Sequence, residues 1–422
     1  MSRTLATTPF EGEFWTAGST LDYRTRMIAA RRALSIVVVL AWTPACHDHS
    51  QPTGTRVAAA ESPSLDAPEA AASPMTTLSP PDPALPGENE ADFVVHDFRF
   101  ASGESLPELR IHYVTLGTPH RSAGGAVDNA VLFLHGTTGR AKSFLAEPFR
   151  RAMFDRGAPF DTSKFFVVLP DDVGHGASSK PSNALHGHFP RYGYGDMVEL
   201  EHRLVVEGLG LTHLRVVAGT SMGGMHTWMW AETYPDFIDA AIPVASTPVA
   251  IRGRNLLWRR LIIEATRTDP AYADGEYARP PHGFVASLPL FNLMIDSTDH
   301  LARIAPDVKS AAELLSGWSG YGHPIPDAND TIYALDASRD YDPEPDLGRI
   351  TASVLVVNFA DDEIVGPSLH DAQPLFRRVR HVKTVLVPTS EATRGHSTLG
   401  LAGEWARFVA DFLRDLNSET PL

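Results

Sequence analysis

The stretch Gly219-Thr220-Ser221-Met222-Gly223 has the form G-x-S-x-G, and it decides the fold of this chain. An apolar run, 214–218, precedes it directly, and helical periodicity begins at Gly223. Together they predict a buried strand, a sharp turn and a helix, with the Ser221 hydroxyl projecting from the turn. The two glycines leave room where side chains would clash. We therefore interpret Ser221 as a nucleophile.

On both sides of this turn, short apolar runs alternate with stretches of helical periodicity. Segments 93–100 and 109–116 predict a β-hairpin, because a glycine-containing turn joins them. Six later runs are mostly apolar, as expected of strands buried on both faces of a parallel sheet. These runs are 130–135, 165–169, 214–218, 240–245, 353–358 and 384–387. Helical periodicity marks 196–209, 223–234 and 399–416. The pattern predicts an α/β protein with a mostly parallel eight-stranded sheet flanked by helices, the plan of the α/β-hydrolase fold.

The alternation breaks between the sixth and seventh predicted strands. Residues 251–346 contain helical pieces, proline-rich corners and aromatic residues, but no clear strand. An insertion of this size predicts a helical cap over the carboxyl edge of the sheet. We expect this cap to shape the substrate pocket.

The N-terminal part of the chain does not read as a folded domain. Four arginines precede the apolar run 33–42, and small residues lead to Cys46. This layout is typical of a secretory signal, and the Ala45-Cys46 junction resembles that of a bacterial lipoprotein. The alternative is an unfolded N-terminus with a chance apolar patch, and either Met1 or Met27 is the start. We divide the chain into a signal-like segment, 1–46, a disordered Ala/Pro-rich linker, 47–90, and a catalytic domain, 91–422.

The composition excludes several classes of function. The formal net charge of −15 argues against nucleic acid as a partner, because phosphate backbones need clustered lysine and arginine. With a single cysteine, Cys46, the chain has no intramolecular disulfide and no cysteine-based metal site. The apolar run at 33–42 is too short for a permanent membrane helix, so membrane attachment would depend on a lipid at Cys46. The oligomeric state stays open.

A serine hydroxyl needs a base, and the base needs an orienting acid. In a sheet of this plan the acid and then the histidine follow the serine along the chain. Asp362 lies directly after the strand 353–358, and His396 lies in the loop after the strand 384–387. Spacing from the strand end favours Asp362 over Asp361. His381 precedes its strand, so we expect it at the opposite edge of the sheet.

The nucleophile also needs N–H groups for the developing oxyanion. One is predicted to be the N–H of Met222, the residue after the serine. The other should come from the loop His135-Gly136-Thr137-Thr138-Gly139, after the first parallel strand. Thr137 is the favoured second donor, with Thr138 in reserve.

Histidines near the second parallel strand raise the question of a metal. Asp172, His175, His186 and His188 occur there, but they lack the spacing of a zinc site. The predicted chemistry requires neither a metal nor an organic cofactor.

Several motifs resemble the homoserine O-acetyltransferase-like branch of the α/β-hydrolase superfamily, from about residue 93 to residue 416. They are Gly219-Thr-Ser-Met-Gly-Gly-Met225, Tyr234-Pro235-Asp236, Thr268-Asp269-Pro270, Gly275-Glu276-Tyr277, Asp362 and His396. The resemblance implies a Ser-Asp-His triad of Ser221, Asp362 and His396. The branch contains acyltransferases and plain hydrolases.

Three positions depart from the acetyltransferases of that branch. The chain has His135-Gly-Thr-Thr-Gly139 where they have His-Ala-Leu-Thr-Gly, His226 where they have glutamine, and Ser397 where they have aspartate. The His-Gly form is more like the esterases of the superfamily. An exported enzyme would also lack acetyl-CoA, which is cytoplasmic.

Three hypotheses of function follow from these residues. The leading one is hydrolysis of a small-molecule ester through an acyl-enzyme. The alternatives are an O-acyltransferase with the same triad and, more remotely, a non-catalytic binding protein that kept the fold. A dehalogenase is disfavoured because its nucleophile in this fold is normally aspartate. The identity of the substrate stays open.

Overall fold

The computed structural model describes residues 85–318 and 325–419. Its centre is an eight-stranded sheet with the strand order β1-β2-β4-β3-β5-β6-β7-β8. The strands are β1 (Asn89–Arg99), β2 (Ser105–Leu116), β3 (Ala130–Leu134), β4 (Phe166–Pro170), β5 (Leu214–Thr220), β6 (Ile238–Val244), β7 (Ser353–Phe359) and β8 (Val382–Val387). The predicted fold class is confirmed, with each of the eight predicted runs forming a strand.

Strand directions place the loops that carry the predicted chemistry at one edge. β1 and β2 are antiparallel to each other, and β2 is antiparallel to β4. The strands from β3 to β8 run parallel. Because the carboxyl ends of parallel strands share an edge, the loops after β3, β5, β7 and β8 meet there.

Ten α-helices occur in the described residues. They are α1 (Phe149–Met153), α2 (Tyr194–Arg203), α3 (Met222–Thr233), α4 (Gly253–Arg267), α5 (His282–Ile295), α6 (Thr298–Ile304), α7 (Val308–Trp318), α8 (Ala328–Ala337), α9 (Gly366–Phe376) and α10 (Ala406–Glu419).

A hydrophobic core covers each face of the sheet. Every side chain of β3, β4 and β5 is buried, as expected for central strands covered by helices on both sides. Helices α2 and α3 pack on one face, where Trp228 and Trp230 are fully buried. Helices α1 and α10 pack on the other, around Trp405 and Phe412. Burial of this much apolar surface holds the central strands, and therefore the loops at their ends, in place.

Five helices, α4 to α8, lie between β6 and β7, in the stretch for which the sequence predicts a helical cap. Side chains cap three of these helices, α6, α7 and α8, at their first turns. Ser297 accepts from the His300 N–H at the start of α6, and Asp327 accepts from the Asp330 N–H at the start of α8. No side chain of α7 is buried.

Some element boundaries differ from the predicted ones. β1 begins at Asn89 rather than at residue 93, because its first residues are exposed and so carry no apolar signal. The predicted helix 399–416 is α-helical only from residue 406, and the helix, Ala406–Glu419, ends three residues later than predicted. Short 3-10 turns containing Gly400 and Gly403 occupy the part before it, where the backbone freedom of glycine disfavours a helix.

The predicted signal-like segment, 1–46, and most of the predicted linker, 47–90, lie outside the described residues. The described fold begins at Leu85, which is buried. Across the described ranges, no helix combines the length and apolar character needed to cross a membrane.

Candidate active site

Ser221 occupies the turn between β5 and α3, where the sequence predicts it. Its backbone has φ 55° and ψ −112°, a conformation that costs a non-glycine residue about 1–3 kcal/mol. The flanking glycines make this turn sterically feasible. A Cβ at Gly219 would lie 2.3 Å from the Gly223 carbonyl oxygen, and one at Gly223 would lie 2.2 Å from the Leu134 carbonyl oxygen.

The structure brings Ser221, His396 and Asp362 together. His396 Nε2 lies 2.8 Å from Ser221 Oγ, and His396 Nδ1 lies 2.7 Å from Asp362 Oδ2. The histidine and the aspartate are both buried. An imidazole hydrogen-bonded to a carboxylate on one nitrogen and to a hydroxyl on the other is suited to accept the hydroxyl proton.

The two adjacent aspartates after β7 have different partners. Asp362 Oδ1 accepts from the N–H groups of Ile364 and Val365 at 2.8 and 3.0 Å, so its carboxylate is fixed in orientation. Asp361 Oδ2 accepts instead from Thr393 Oγ1 and from the Gly395 N–H. Asp361 therefore holds the loop that carries His396, while Asp362 contacts the ring.

The two predicted oxyanion donors flank the serine. Met222 follows it in the chain, and a Cβ built on Gly136 would lie 3.3 Å from Ser221 Cβ, so the loop of Thr137 abuts Ser221. The N–H groups of Met222 and Thr137 donate to no acceptor within 85–318 and 325–419. Thr138, the predicted reserve donor, is exposed in the same loop.

The sequence does not predict a buried polar cluster between α2 and α3, formed by Glu201, His226 and Trp230. His226 Nδ1 is 2.7 Å from Glu201 Oε1, and Trp230 Nε1–H donates to Glu201 Oε2 at 2.6 Å. Burial raises the pKa of Glu201 to about 8, and burial followed by the nearby Glu201 charge holds the pKa of Asp172 well above its usual range.

Among the described residues, one group has potential metal-ligand atoms that all lie within 4.8 Å of one another. It consists of Asp172, Glu201 and His226. Both Glu201 oxygens already have partners, so a cation would have to displace them. The histidines that follow the second parallel strand do not join this cluster. His175 bonds the Thr137 carbonyl oxygen, and His188 is exposed.

A cavity of about 1000 Å³ lies between the oxyanion loop and the cap. Thr137 and Thr138 line it, whereas Ser221 does not, so the cavity approaches the serine from the side of the oxyanion loop. Its cap side is largely apolar, although Asp330 of the cap helix α8 forms an ion pair at 3.5 Å with Lys180 of the opposite wall. The cap lining includes Ile262, Leu288, Phe291 and Leu314. An apolar cavity of this size with a few polar groups suits a small organic substrate.

Comparison with known proteins adds to the geometry. Residues 129–372 match the model of the alpha/beta hydrolase fold family. A probable acyltransferase of Methanothermobacter thermautotrophicus is 28% identical over 326 residues, which cover 76% of this chain and 96% of that protein. An ethyl acetate hydrolase of Pseudomonas veronii is 32% identical over 179 residues, 42% of this chain and 48% of that protein. The crystal structure of homoserine O-acetyltransferase from Bacillus anthracis has a TM-score of 0.66 at 19% identity, covering 77% of this chain and 97% of that one.

The relatives fall into two kinds of enzyme, ester hydrolases and acyltransferases, which share one fold. The family match covers more than half of the chain and includes the loop of Thr137, the turn of Ser221 and the turn of Asp362. The chain's relatives include members of the homoserine O-acetyltransferase-like branch, so the protein is an enzyme, either a hydrolase or an acyltransferase. The chain therefore belongs to the α/β-hydrolase fold family.

Proposed function

We propose that the protein hydrolyses a carboxylic ester through an acyl-enzyme on Ser221. The observation that carries the proposal is the unbroken chain of hydrogen bonds from Asp362 through His396 to the Ser221 hydroxyl. In the first half-reaction Ser221 Oγ attacks the ester carbonyl carbon while His396 Nε2 takes the hydroxyl proton. Asp362 stabilises the resulting imidazolium, and the N–H groups of Thr137 and Met222 hold the oxyanion.

Collapse of the tetrahedral intermediate completes acylation. The bond from carbon to the leaving oxygen breaks, and His396 returns its proton to that oxygen, which releases the alcohol. In the second half-reaction His396 takes a proton from water as the water oxygen attacks the acyl carbon. The proton then goes to Ser221 Oγ, so that the acid leaves and the enzyme is restored.

Water is the proposed acyl acceptor. The alternative function is that of an O-acyltransferase, in which the hydroxyl of a second substrate accepts the acyl group instead of water. The His135-Gly136 form of the oxyanion loop and the similarity to an ethyl acetate hydrolase support hydrolysis. The longer match to a probable acyltransferase supports the alternative. The two reactions share the acyl-enzyme and differ only in deacylation.

Product analysis separates the two reactions. The purified protein is given p-nitrophenyl acetate with and without homoserine, and the fate of the acetyl group is followed by mass spectrometry. We expect free acetate in both cases, with no turnover by Ser221→Ala. O-acetylhomoserine as the main product would establish the acyltransferase instead. Full turnover by Ser221→Ala would refute the acyl-enzyme on this serine.

We also propose that the protein is exported in a bacterial cell and is anchored to the membrane by a lipid on Cys46. The basic residues, the apolar run 33–42 and the Ala45-Cys46 junction support this proposal. In cells fed radiolabelled palmitate, we expect label on the wild-type protein and none on Cys46→Ser. Equal labelling of the two proteins, or none of either, would count against lipidation.

A further inference from the structure

The peptide group between Gly136 and Thr137 is anchored through its carbonyl oxygen. This oxygen accepts a hydrogen bond from His135 Nδ1 at 2.8 Å and another from the Gly139 N–H at 2.8 Å. In a planar trans peptide the carbonyl and the N–H point in opposite directions. Fixing the Gly136 oxygen therefore fixes the direction of the Thr137 N–H, the proposed oxyanion donor.

The proton of His135 is placed by its two partners. The Asp172 N–H lies 3.2 Å from His135 Nε2, and a backbone N–H can only donate, so Nε2 accepts. The Gly136 oxygen can only accept, so Nδ1 carries the proton. His135 is 1% exposed, and burial holds the pKa of its imidazole well below the usual range, which keeps the ring neutral. Protonated Nε2 would face the Asp172 N–H, donor against donor.

The backbone of His135 reaches the other oxyanion donor. Its carbonyl oxygen accepts from the Gly223 N–H at 2.9 Å, in the first turn of α3. The Met222 N–H precedes this bond by one residue. The side chain of His135 thus contacts the peptide that carries the Thr137 N–H. Its backbone carbonyl contacts the helix turn that carries the Met222 N–H.

We propose that His135 is a positioning residue of the oxyanion hole, acting as a neutral Nδ1–H donor that orients the Gly136–Thr137 peptide. This rests on the proposed function, because an oxyanion forms only if Ser221 attacks a carbonyl. The Asp172 N–H holds the tautomer, and the imidazole never touches the substrate. The contribution of His135 lies in the direction of the Thr137 N–H.

Two substitutions of similar size separate orientation from packing. In His135→Asn the amide nitrogen takes about the place of Nδ1, so it can still donate to the Gly136 oxygen. In His135→Gln the amide nitrogen takes about the place of Nε2, and the donor to Gly136 is lost. Removing one oxyanion donor lowers kcat by about 100- to 1000-fold, and a misdirected donor should cost about 10- to 100-fold.

The measurement is kcat and KM for p-nitrophenyl acetate, together with the affinity for an alkyl trifluoromethyl ketone. That ketone forms a hemiketal oxyanion on the serine, so its affinity reports on the oxyanion hole. We expect His135→Gln to lose kcat and ketone affinity by a similar factor at nearly constant KM. We expect His135→Asn to keep most of both. If the Gln variant does not fold, His135→Ala replaces it, since alanine also lacks the donor.

The outcomes distinguish this proposal from the proposed function. Ser221→Ala is measured beside both variants. If it is inactive while His135→Gln keeps its kcat and ketone affinity, the positioning role is overturned and the acyl-enzyme stands. Equal losses in the Asn and Gln variants would also overturn it, because packing alone would then explain them. If Ser221→Ala hydrolyses the ester normally, the proposed function itself fails.

Discussion

Asp361 and Asp362 are neighbours with the same side chain, yet their contacts assign them different tasks. Asp362 binds the His396 ring, and Asp361 holds the Thr393–Gly395 segment of the histidine loop. The sequence favours Asp362 only by its distance from the strand end. One residue more in the turn would exchange the two positions, so sequence alone leaves both open.

We predict a large difference between the two amide variants. Asp362→Asn places an amide against His396, which disfavours the tautomer and the charge that proton transfer requires, so kcat should fall by about 10⁴-fold. Asp361→Asn keeps a carbonyl acceptor for Thr393 and Gly395, so kcat should stay within about threefold of wild type. Steady-state hydrolysis of p-nitrophenyl acetate measures both. Similar losses in the two variants would contradict the assignment.

The sequence places His135 at the end of a strand but says nothing of its tautomer. That depends on the Asp172 N–H, which approaches His135 Nε2 from the end of the neighbouring strand β4. Contacts between strands that are adjacent in the sheet but distant in the chain leave no local pattern. For the same reason, the sequence does not reveal the buried group around Glu201.

At the scale of elements, the last turn of α3 contains a carboxyl group that is costly to ionise. Glu232 is half-buried near the C-terminus of α3, close to Asp346 and Asp342. Burial, and then the charge of Asp346, raise the pKa of Glu232 from 4.5 to about 8. Its Oε2 is buried with no hydrogen-bond partner. The negative end of the helix dipole adds to the cost of ionising it.

This raised pKa predicts a stability that depends on pH. Between pH 4.5 and about 8 the folded protein binds a proton at Glu232 that the unfolded chain has lost, so the free energy of unfolding falls as pH rises through this window. Glu232→Gln removes the contribution of this residue to the pH dependence of stability, because glutamine does not titrate. Because the group is only half-buried, we expect the variant to be more stable by about 1–2 kcal/mol at pH 9. At pH 4.5 the difference should vanish.

Urea denaturation at pH 4.5 and pH 9 tests this prediction, with Glu313→Gln as the control. Glu313 lies on α7, its side chain is 69% exposed, and its contact with Lys309 is loose at 3.9 Å. The control should change little at either pH. The raised pKa would be contradicted if the variant and the wild type differed in free energy of unfolding by the same amount at pH 9 as at pH 4.5.

Elements of the sheet are easier to predict than those of the cap. Strands such as β5 are mostly apolar, are buried along their whole length and have glycine-rich turns beside them, so periodicity and composition agree. Helix α5 is apolar around most of its circumference, so periodicity selects no face. The structure buries Phe284 fully and leaves Leu293 52% exposed. Which residues of the cap reach the cavity is therefore decided by tertiary packing.

At the scale of the whole molecule, the cap and the sheet contribute opposite walls of one cavity. Thr331 is a half-buried residue of α8 on the cap side. Thr331→Trp would fill part of the 1000 Å³, and long acyl chains need that space more than an acetyl group does. We predict that kcat/KM for p-nitrophenyl hexanoate falls about tenfold more than kcat/KM for the acetate.

The control for this prediction is Thr331→Val, which keeps the volume and removes only the hydroxyl that donates to the Asp327 carbonyl oxygen. It should treat the two esters alike. Equal losses on both esters in Thr331→Trp would mean that the acyl chain does not enter this cavity.

The insertion between β6 and β7 is one unbroken run of chain. Ser221, Thr137 and His135 come from before it, and Asp362 and His396 come from after it. The proposed triad and the oxyanion loop are thus encoded outside the stretch that encodes the cap wall of the cavity. Exchange of the insertion at its two ends would replace the cap wall of the cavity and leave Ser221, His396 and Asp362 in place. The size of the accepted substrate would then change while the reacting groups stayed the same.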